Sequence, residues 1–355
     1  MWSLLRAESP PGLPSQAQAT QPSLSAKNTT ISLSLPHLRC CHMLNQPITS
    51  RVMLIVASTW MSVCLTGTSS AQDLPVAFRA FTSAADAPVF TSSPGDWDAL
   101  IRERGWILKD GEKYRLWYTG YNQDRQPVSM KLGYATSPDG ITWTRHPQNP
   151  IFDDVWVEDM MIVKHGGTLY MFAEGAKDQA QLLQSTDGIA WQRVRTLDVR
   201  QTDGTKIPAG PYGTPTAYFE GGTWYLFYER RDQGIWLATS KDMVVWTNVS
   251  DEPLIIPGPN EYDKLMIAMN QVIKYEGRYY AVLHGTGSPA KPRDWCTYMA
   301  VSDDLRTWKK CPEGPLLPVH DNRSSGQLVQ DGGQFRLYTM HARVDLHVPS
   351  TGSLP

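Results

Sequence analysis

Charged residues stand at both ends of several short apolar runs in this sequence. Asp96, Asp98, Glu103 with Arg104, and Glu158-Asp159 come just before such runs; Glu174, Glu229 with Arg230, His284 and His341 close them. Carboxylates brought in pairs to one pocket can cleave an acetal. One protonates the leaving oxygen and the other attacks or activates water, at separations of about 5–9.5 Å. Trp97, Trp156 and Tyr212 offer flat faces for a sugar ring near the same positions. No His or Cys spacing of the metal-ligand kind is present. Each candidate also has a structural reading: Asp98 can cap a turn, Glu103 can pair with Arg102 or Arg104, and both histidines suit hydrogen-bonded structural roles.

Those residues share a pocket only if the apolar runs are paired strands. Five runs fold about a Gly-containing turn: 106–118 around Asp110-Gly111, 161–172 around Gly166-Gly167, 217–228 around Gly221-Gly222, 271–283 around Glu276-Gly277, and 327–340 around Gly332-Gly333. Residues before the first strand and after the second then meet at one mouth. Four of the five hairpins are followed by Ser, one residue, Asp, three residues, Trp, ending at Trp143, Trp191, Trp246 and Trp308. In that element Ser and Asp are suited to capping a tight turn, and Trp to packing between repeats. Repeats of this length suit propeller blades. The pattern predicts an all-β, five-bladed β-propeller, its missing outer strand supplied by an N-terminal segment near residues 74–90 that closes the ring and removes exposed sheet edges.

Composition agrees. Thirteen Trp, fifteen Tyr, 27 Gly and 26 Pro suit short strands and tight turns, and 33 basic against 35 acidic residues leave a net charge of -2. Bulk charge therefore excludes nucleic acid or an anionic membrane as a partner and favours a small neutral ligand. Residues 1–42 are Ser- and Pro-rich without apolar periodicity and read as disordered or as an over-long start. Residues 43–71 carry Arg51, an apolar stretch at 52–65 and small residues at Ser69 and Ala71, the pattern of a cleaved signal peptide. The expected product is a secreted or periplasmic domain over 72–355 with no membrane attachment after cleavage. It retains Cys296 and Cys311, an even pair that invites a disulfide, with two buried thiols as the alternative.

From about 95 to 348 the sequence resembles the five-bladed glycosidase superfamily of arabinanases, xylosidases, invertases and levansucrases (glycosyl hydrolase families 43 and 32). Trp-Tyr-Thr-Gly at 117–120, Leu-Gly-Tyr-Ala-Thr-Ser-Pro-Asp-Gly at 132–140, Trp143, Asn149-Pro-Ile-Phe at 149–152 and Val157-Glu158-Asp159 carry it. The resemblance implies a hydrolase of plant or algal oligosaccharides. Counting eight residues back from the turn glycine gives Glu103 from Gly111 as base or nucleophile, and Asp159 from Gly167 as the residue that orients substrate. The acid that the family places two residues before a Pro is replaced here by Gly213. That leaves Glu229, or else Glu158, Glu174 or a histidine, as proton donor. Asp98, Arg104, Glu158, Glu174, Arg230, His284, His341 and Trp97 are then substrate-binding residues. Phosphorolysis is a variant for which Arg102, Arg104 and Arg230 are available. Two other readings stand: a catalytically silent sugar-binding propeller, and a propeller that presents loops to protein partners. No cofactor is implied, although some relatives hold a structural calcium in the axial channel.

Overall fold

The computed structural model describes residues 74–350. The stretches 1–42 and 43–71, with Cys40, Cys41 and Cys64, lie outside the described residues, as does the expected new N-terminus at Gln72. Among the described residues no helix is long and apolar enough to cross a membrane.

Each Gly-containing turn folds an apolar run into an antiparallel hairpin, and further strands extend it outward. Blade one runs Trp106–Asp110, Lys113–Tyr121, Lys131–Ser137, Thr144–Arg145. Blade two runs Glu158–His165, Thr168–Gly175, Gln179–Ser185, Gln192–Thr196. Blade three runs Gly213–Glu220, Thr223–Glu229, Ile235–Ser240, Val245–Asn248, and blade four Met266–Tyr275, Arg278–Thr286, Trp295–Ser302, Lys309–Lys310. Blade five has Gln327–Asp331, Gln334–Met340 and Val344–Pro349. Its fourth strand is Phe81–Ser83, with Phe81 opposite Pro349. The molecule is a five-bladed β-propeller.

The Ser-x-Asp element is a turn cap in all four places. Asp139 Oδ1 accepts from the backbone N–H of Ile141 and Thr142 at 2.8 and 2.7 Å, while Ser137 Oγ accepts from Gly140 N at 2.8 Å. Asp187, Asp242 and Asp304 accept backbone N–H groups in the same way. Three of the tryptophans pack edge-on against a second-strand aromatic of the preceding blade: Trp191 on Trp117, Trp246 on Phe172 and Trp308 on Phe227, at centroid distances of 6.3, 5.9 and 5.7 Å. The motif thus builds the blade-to-blade core and stays away from the chemistry.

Two glutamines stitch inner strands that, among the described residues, carry no ladder between blades. Gln271 in blade four bonds both backbone groups of Leu328 in blade five, at 2.9 Å to the carbonyl and 2.8 Å from the N–H. Gln327 in blade five does the same to Ile107 in blade one, at 2.7 and 2.8 Å.

The cysteine expectation resolves to its alternative. Cys296 and Cys311 are both buried and are not joined to each other. Their strands pair with Ala300 opposite Lys310, and Cys311 N donates to the carbonyl of Met299. Cys311 therefore sits three residues along the strand from Cys296 and not across from it. The short outer strand is offset, so the turn is not midway between the two thiols.

Candidate active site

The inner strands enter the ring at a fixed interval. Arg104, Asp159, Thr214 and Met269 are 55 residues apart, and Ser325 follows after 56. Arg104, Asp159, Thr214 and Ser325 all adopt left-handed backbone, at φ 54°, 46°, 44° and 50°. Each stands seven residues before the first glycine of its turn, and in blades two and three a register shift marks the same place. Non-glycine residues in this region cost on the order of 1–3 kcal/mol each and persist where surroundings over-determine them. The alignment drawn from turn counting therefore moves by one residue. Glu103 is equivalent to Glu158 and Gly213, whereas Asp159 is equivalent to Arg104.

Above this strained floor the acids of blades one to three gather. Arg102 lies between Glu103 and Glu158, with Nη1 2.7 Å from Glu103 Oε1 and Nε 2.8 Å from Glu158 Oε2. His341, just past the second strand of blade five, approaches the other oxygen of Glu103 at 3.1 Å and Ser324 Oγ at 3.0 Å. Trp156 Nε1 donates to Glu158 Oε1 at 2.6 Å. Glu174 Oε2 accepts the N–H of Thr214 at 2.9 Å, and Glu229 Oε2 accepts that of Asp232. Asp159 is buried, and its Oδ1 has no hydrogen-bond partner among the described residues.

Gly213 is explained by its neighbours. A Cβ there would overlap the Glu174 carboxylate and lie 2.9 Å from Glu229 Oε1. The place where the resemblance puts an acid is thus kept clear for two acids arriving from the second strands of blades two and three.

Burial and charge drive these groups apart. Burial alone would raise Glu103, but Arg102 and His341 together hold its carboxyl well below the usual range. His341 loses basicity to burial and regains more from Glu103, so its ring sits above its ordinary value. Asp159 and Glu174 are pushed well up, chiefly by burial and then by neighbouring carboxylates, with Arg102 opposing at Asp159. Glu229 is pushed up to about 8 by burial, with Asp232 adding to it. His284 is pulled down to about 4 by burial; its Nδ1 lies 2.7 Å from Asn270 Oδ1, and its ring meets Trp295 edge-on. One buried layer therefore holds one carboxyl drawn down and others pushed up, the separation that acid–base chemistry at an acetal uses.

Three nominated residues lie elsewhere. Trp97 and Asp98 pack against Gly120, and Asp98 Oδ2 accepts from Tyr118 Oη and Arg145 Nε, both at 2.9 Å. Arg230 holds the 208–211 loop through the carbonyls of Pro208 and Pro211, at 2.8 and 3.4 Å. A cavity of about 500 Å³ runs along the inner strands of blades one, two, four and five, from Trp106 and Gln327 to the turn glycines Gly111 and Gly332.

Two acids escaped the sequence reading. Asp178 has a carboxylate oxygen within 4.8 Å of those of Glu158 and Glu174, and Asp232, half-buried and pushed up to about 6 chiefly by burial, bonds Glu229 through its backbone. Both end a basic-Asp pair in left-handed backbone, Lys177-Asp178 and Arg231-Asp232, just past a strand-closing Glu. That repeat was available in the sequence.

At the level of Asp159 the axial calcium that the resemblance allows does not fit. The Arg104 guanidinium reaches there from blade one to blades two and three, donating to Asp159 O at 3.0 Å, Pro215 O at 2.8 Å and Thr216 Oγ1 at 2.6 Å.

Residues 105–298 match glycoside hydrolase family 130, described as beta-1,4-mannooligosaccharide phosphorylase. The chain belongs to that family. The expectation of families 43 and 32 gives way to family 130, within the same propeller architecture. A 1,2-beta-oligomannan phosphorylase from Thermoanaerobacter sp. (strain X514) is 28% identical over 167 residues, 43% of this chain and 52% of the relative. The chain thus spans about half the length of that phosphorylase. Among solved structures, the beta-1,2-mannobiose phosphorylase from Listeria innocua superposes with a TM-score of 0.58 at 16% identity, covering 76% of this chain and 95% of that one. A member of the mannoside phosphorylase family that contains glycoside hydrolases targeting beta-1,2 mannosidic linkages in Candida mannan superposes at 0.64 and 17% identity, covering 78% and 95%. The chain therefore shares the family and the propeller fold of these proteins.

Proposed function

We propose that this family 130 protein hydrolyses β-mannosidic linkages. The observation that carries the reading is the opposed charge states in one layer: Glu103 held ionised by Arg102 and His341, Glu229 held protonated up to about 8. In this reading Glu229, beside Glu174, supplies the proton to the leaving oxygen. Glu103 acts as base, and Asp159 orients the sugar at the floor of the pocket. The relatives' action on β-mannosides supports the substrate class.

Water is favoured over phosphate as the nucleophile because the arginines nominated for phosphate are engaged by the protein. Arg102 is shared by Glu103 and Glu158, Arg104 is buried against backbone carbonyls, and Arg230 is bonded to a loop. The leader-like stretch at 43–71 supports action outside the cytoplasm, which N-terminal sequencing of exported protein would test.

The test is β-1,2- and β-1,4-mannobiose with and without inorganic phosphate, for the native chain, Asp159→Asn and Glu229→Gln. Free mannose without phosphate, lost in both variants while folding persists, supports the reading. Mannose 1-phosphate formed only with phosphate replaces it by phosphorolysis. Mannobiose binding without turnover leaves a sugar-binding propeller.

A further inference from the structure

Arg104 is bonded to more of the ring than any role in sugar binding requires. Its backbone N–H donates to Met340 O of blade five at 2.9 Å, and its carbonyl accepts from Met160 N of blade two at 3.1 Å. The guanidinium adds Asp159 O in blade two and Pro215 O and Thr216 Oγ1 in blade three. Thr216 Oγ1 passes its own hydrogen to Met269 O of blade four at 2.7 Å. One residue of blade one is thus tied to the other four blades, and it is 2% exposed.

We infer that Arg104 is a resident cation that does at the centre of this ring what a bound metal ion does, gathering carbonyl oxygens of separate blades, and that it is the positioning residue for Asp159. A metal ion draws oxygen ligands inward from several elements at once, and the guanidinium does the same with a planar fork of donors. Two of the groups it holds, Asp159 O and Pro215 O, belong to or adjoin the left-handed residues Asp159 and Thr214. A backbone held in that conformation needs an external constraint, and Arg104 supplies it. The Asp159 carboxylate is thereby aimed without any contact between Arg104 and the sugar. The kinetic half of this inference rests on the hydrolase reading; the cation half does not.

The experiment separates the two halves. For the full chain, the thermal midpoint is measured with millimolar EDTA, with millimolar calcium, and with neither. No shift is expected, and a midpoint lowered by EDTA or raised by calcium overturns the resident cation. Arg104→Ala is expected to unfold at lower temperature and to recover part of the loss with millimolar methylguanidinium, which leaves the native chain unmoved. Recovery with calcium alone, or no loss at all, overturns it. Should the alanine variant fail to fold, Arg104→Lys decides: it keeps the charge but not the fork, and a native midpoint there overturns the inference. On mannobiose, Arg104→Lys is expected to lose about tenfold or more in kcat with KM nearly unchanged and with a displaced pH profile. A rise in KM at constant kcat would make Arg104 a substrate ligand instead. If the native chain does not turn over, only the hydrolase reading fails, and the midpoints still judge Arg104.

Discussion

Gly213 faces the Glu174 carboxylate so closely that any side chain at 213 would overlap it. Glu174 is buried and fixed by the N–H of Thr214, the next residue, so it has little freedom to withdraw. Gly213→Ala is accordingly expected to push Glu174 out of the layer and break that bond. The stability cost is that of overpacking, ~1–3 kcal/mol, but kcat should fall by at least about tenfold because the two buried acids are forced apart. Steady-state kinetics with a parallel thermal melt checks this. Native kinetics in a folded Gly213→Ala would take Glu174 and Glu229 out of the reaction.

Glu229 carries a pH signature of known sign. Its folded value of about 8 lies above the ordinary 4.5, so the folded chain binds the extra proton between those limits. The stability this confers is complete below about 4.5 and is lost as pH rises toward 8. Turnover should decline on the alkaline side through the same value. Glu229→Gln is expected to flatten the stability slope in that window. Asp232→Asn, which removes a neighbouring negative charge, should move the alkaline limb of the rate profile to lower pH. An alkaline limb indifferent to Asp232→Asn would argue that another group titrates.

These residues differ in how visible they were before folding. The five hairpins and the four capped turns were legible because glycine and Ser-x-Asp report local backbone demands that act within a few residues. Glu103, Asp159 and Glu229 could be nominated because strand ends in a ring share a mouth. The left-handed entries were not visible, since Arg104, Asp159 and Thr214 are not glycines and their conformation is imposed by partners over 50 residues away. The 55-residue interval that marks them is obscured by the outer Trp motif, whose spacing varies with loop length. Asp98 and Arg230 look the same as site residues in sequence, and only packing against Arg145 and the 208–211 loop tells them apart.

His341 is raised above its ordinary 6.5 by Glu103 despite burial. A raised histidine contributes stability that is complete below about 6.5 and disappears as pH climbs through its folded value. His341→Gln should therefore cost about 1 kcal/mol near pH 5.5, the scale of a partly exposed ion pair, and close to nothing at pH 9. Urea unfolding at the two pH values measures the difference. A cost equal at both would mean that His341 acts by packing and its bond to Ser324 instead of by charge.

The glutamine stitches make a prediction remote from the acids. Gln327 satisfies both the N–H and the carbonyl of Ile107, groups in an inner strand that, among the described residues, ladders with the second strand of its own blade alone. Gln327→Ala leaves a buried donor and a buried acceptor without partners, at ~1–3 kcal/mol for each group. Gln327→Leu fills the volume but leaves the same two groups unsatisfied, so it should recover little. Gln327→Glu keeps an acceptor for Ile107 N, loses the donor for Ile107 O and buries a charge, and should be as damaging as alanine at neutral pH. The pattern sought in chemical unfolding is alanine, leucine and glutamate all well below native, with kcat on mannobiose unchanged wherever the fold persists. Leucine restoring native stability would show that the side chain serves as filler and that the blades are held by apolar packing alone.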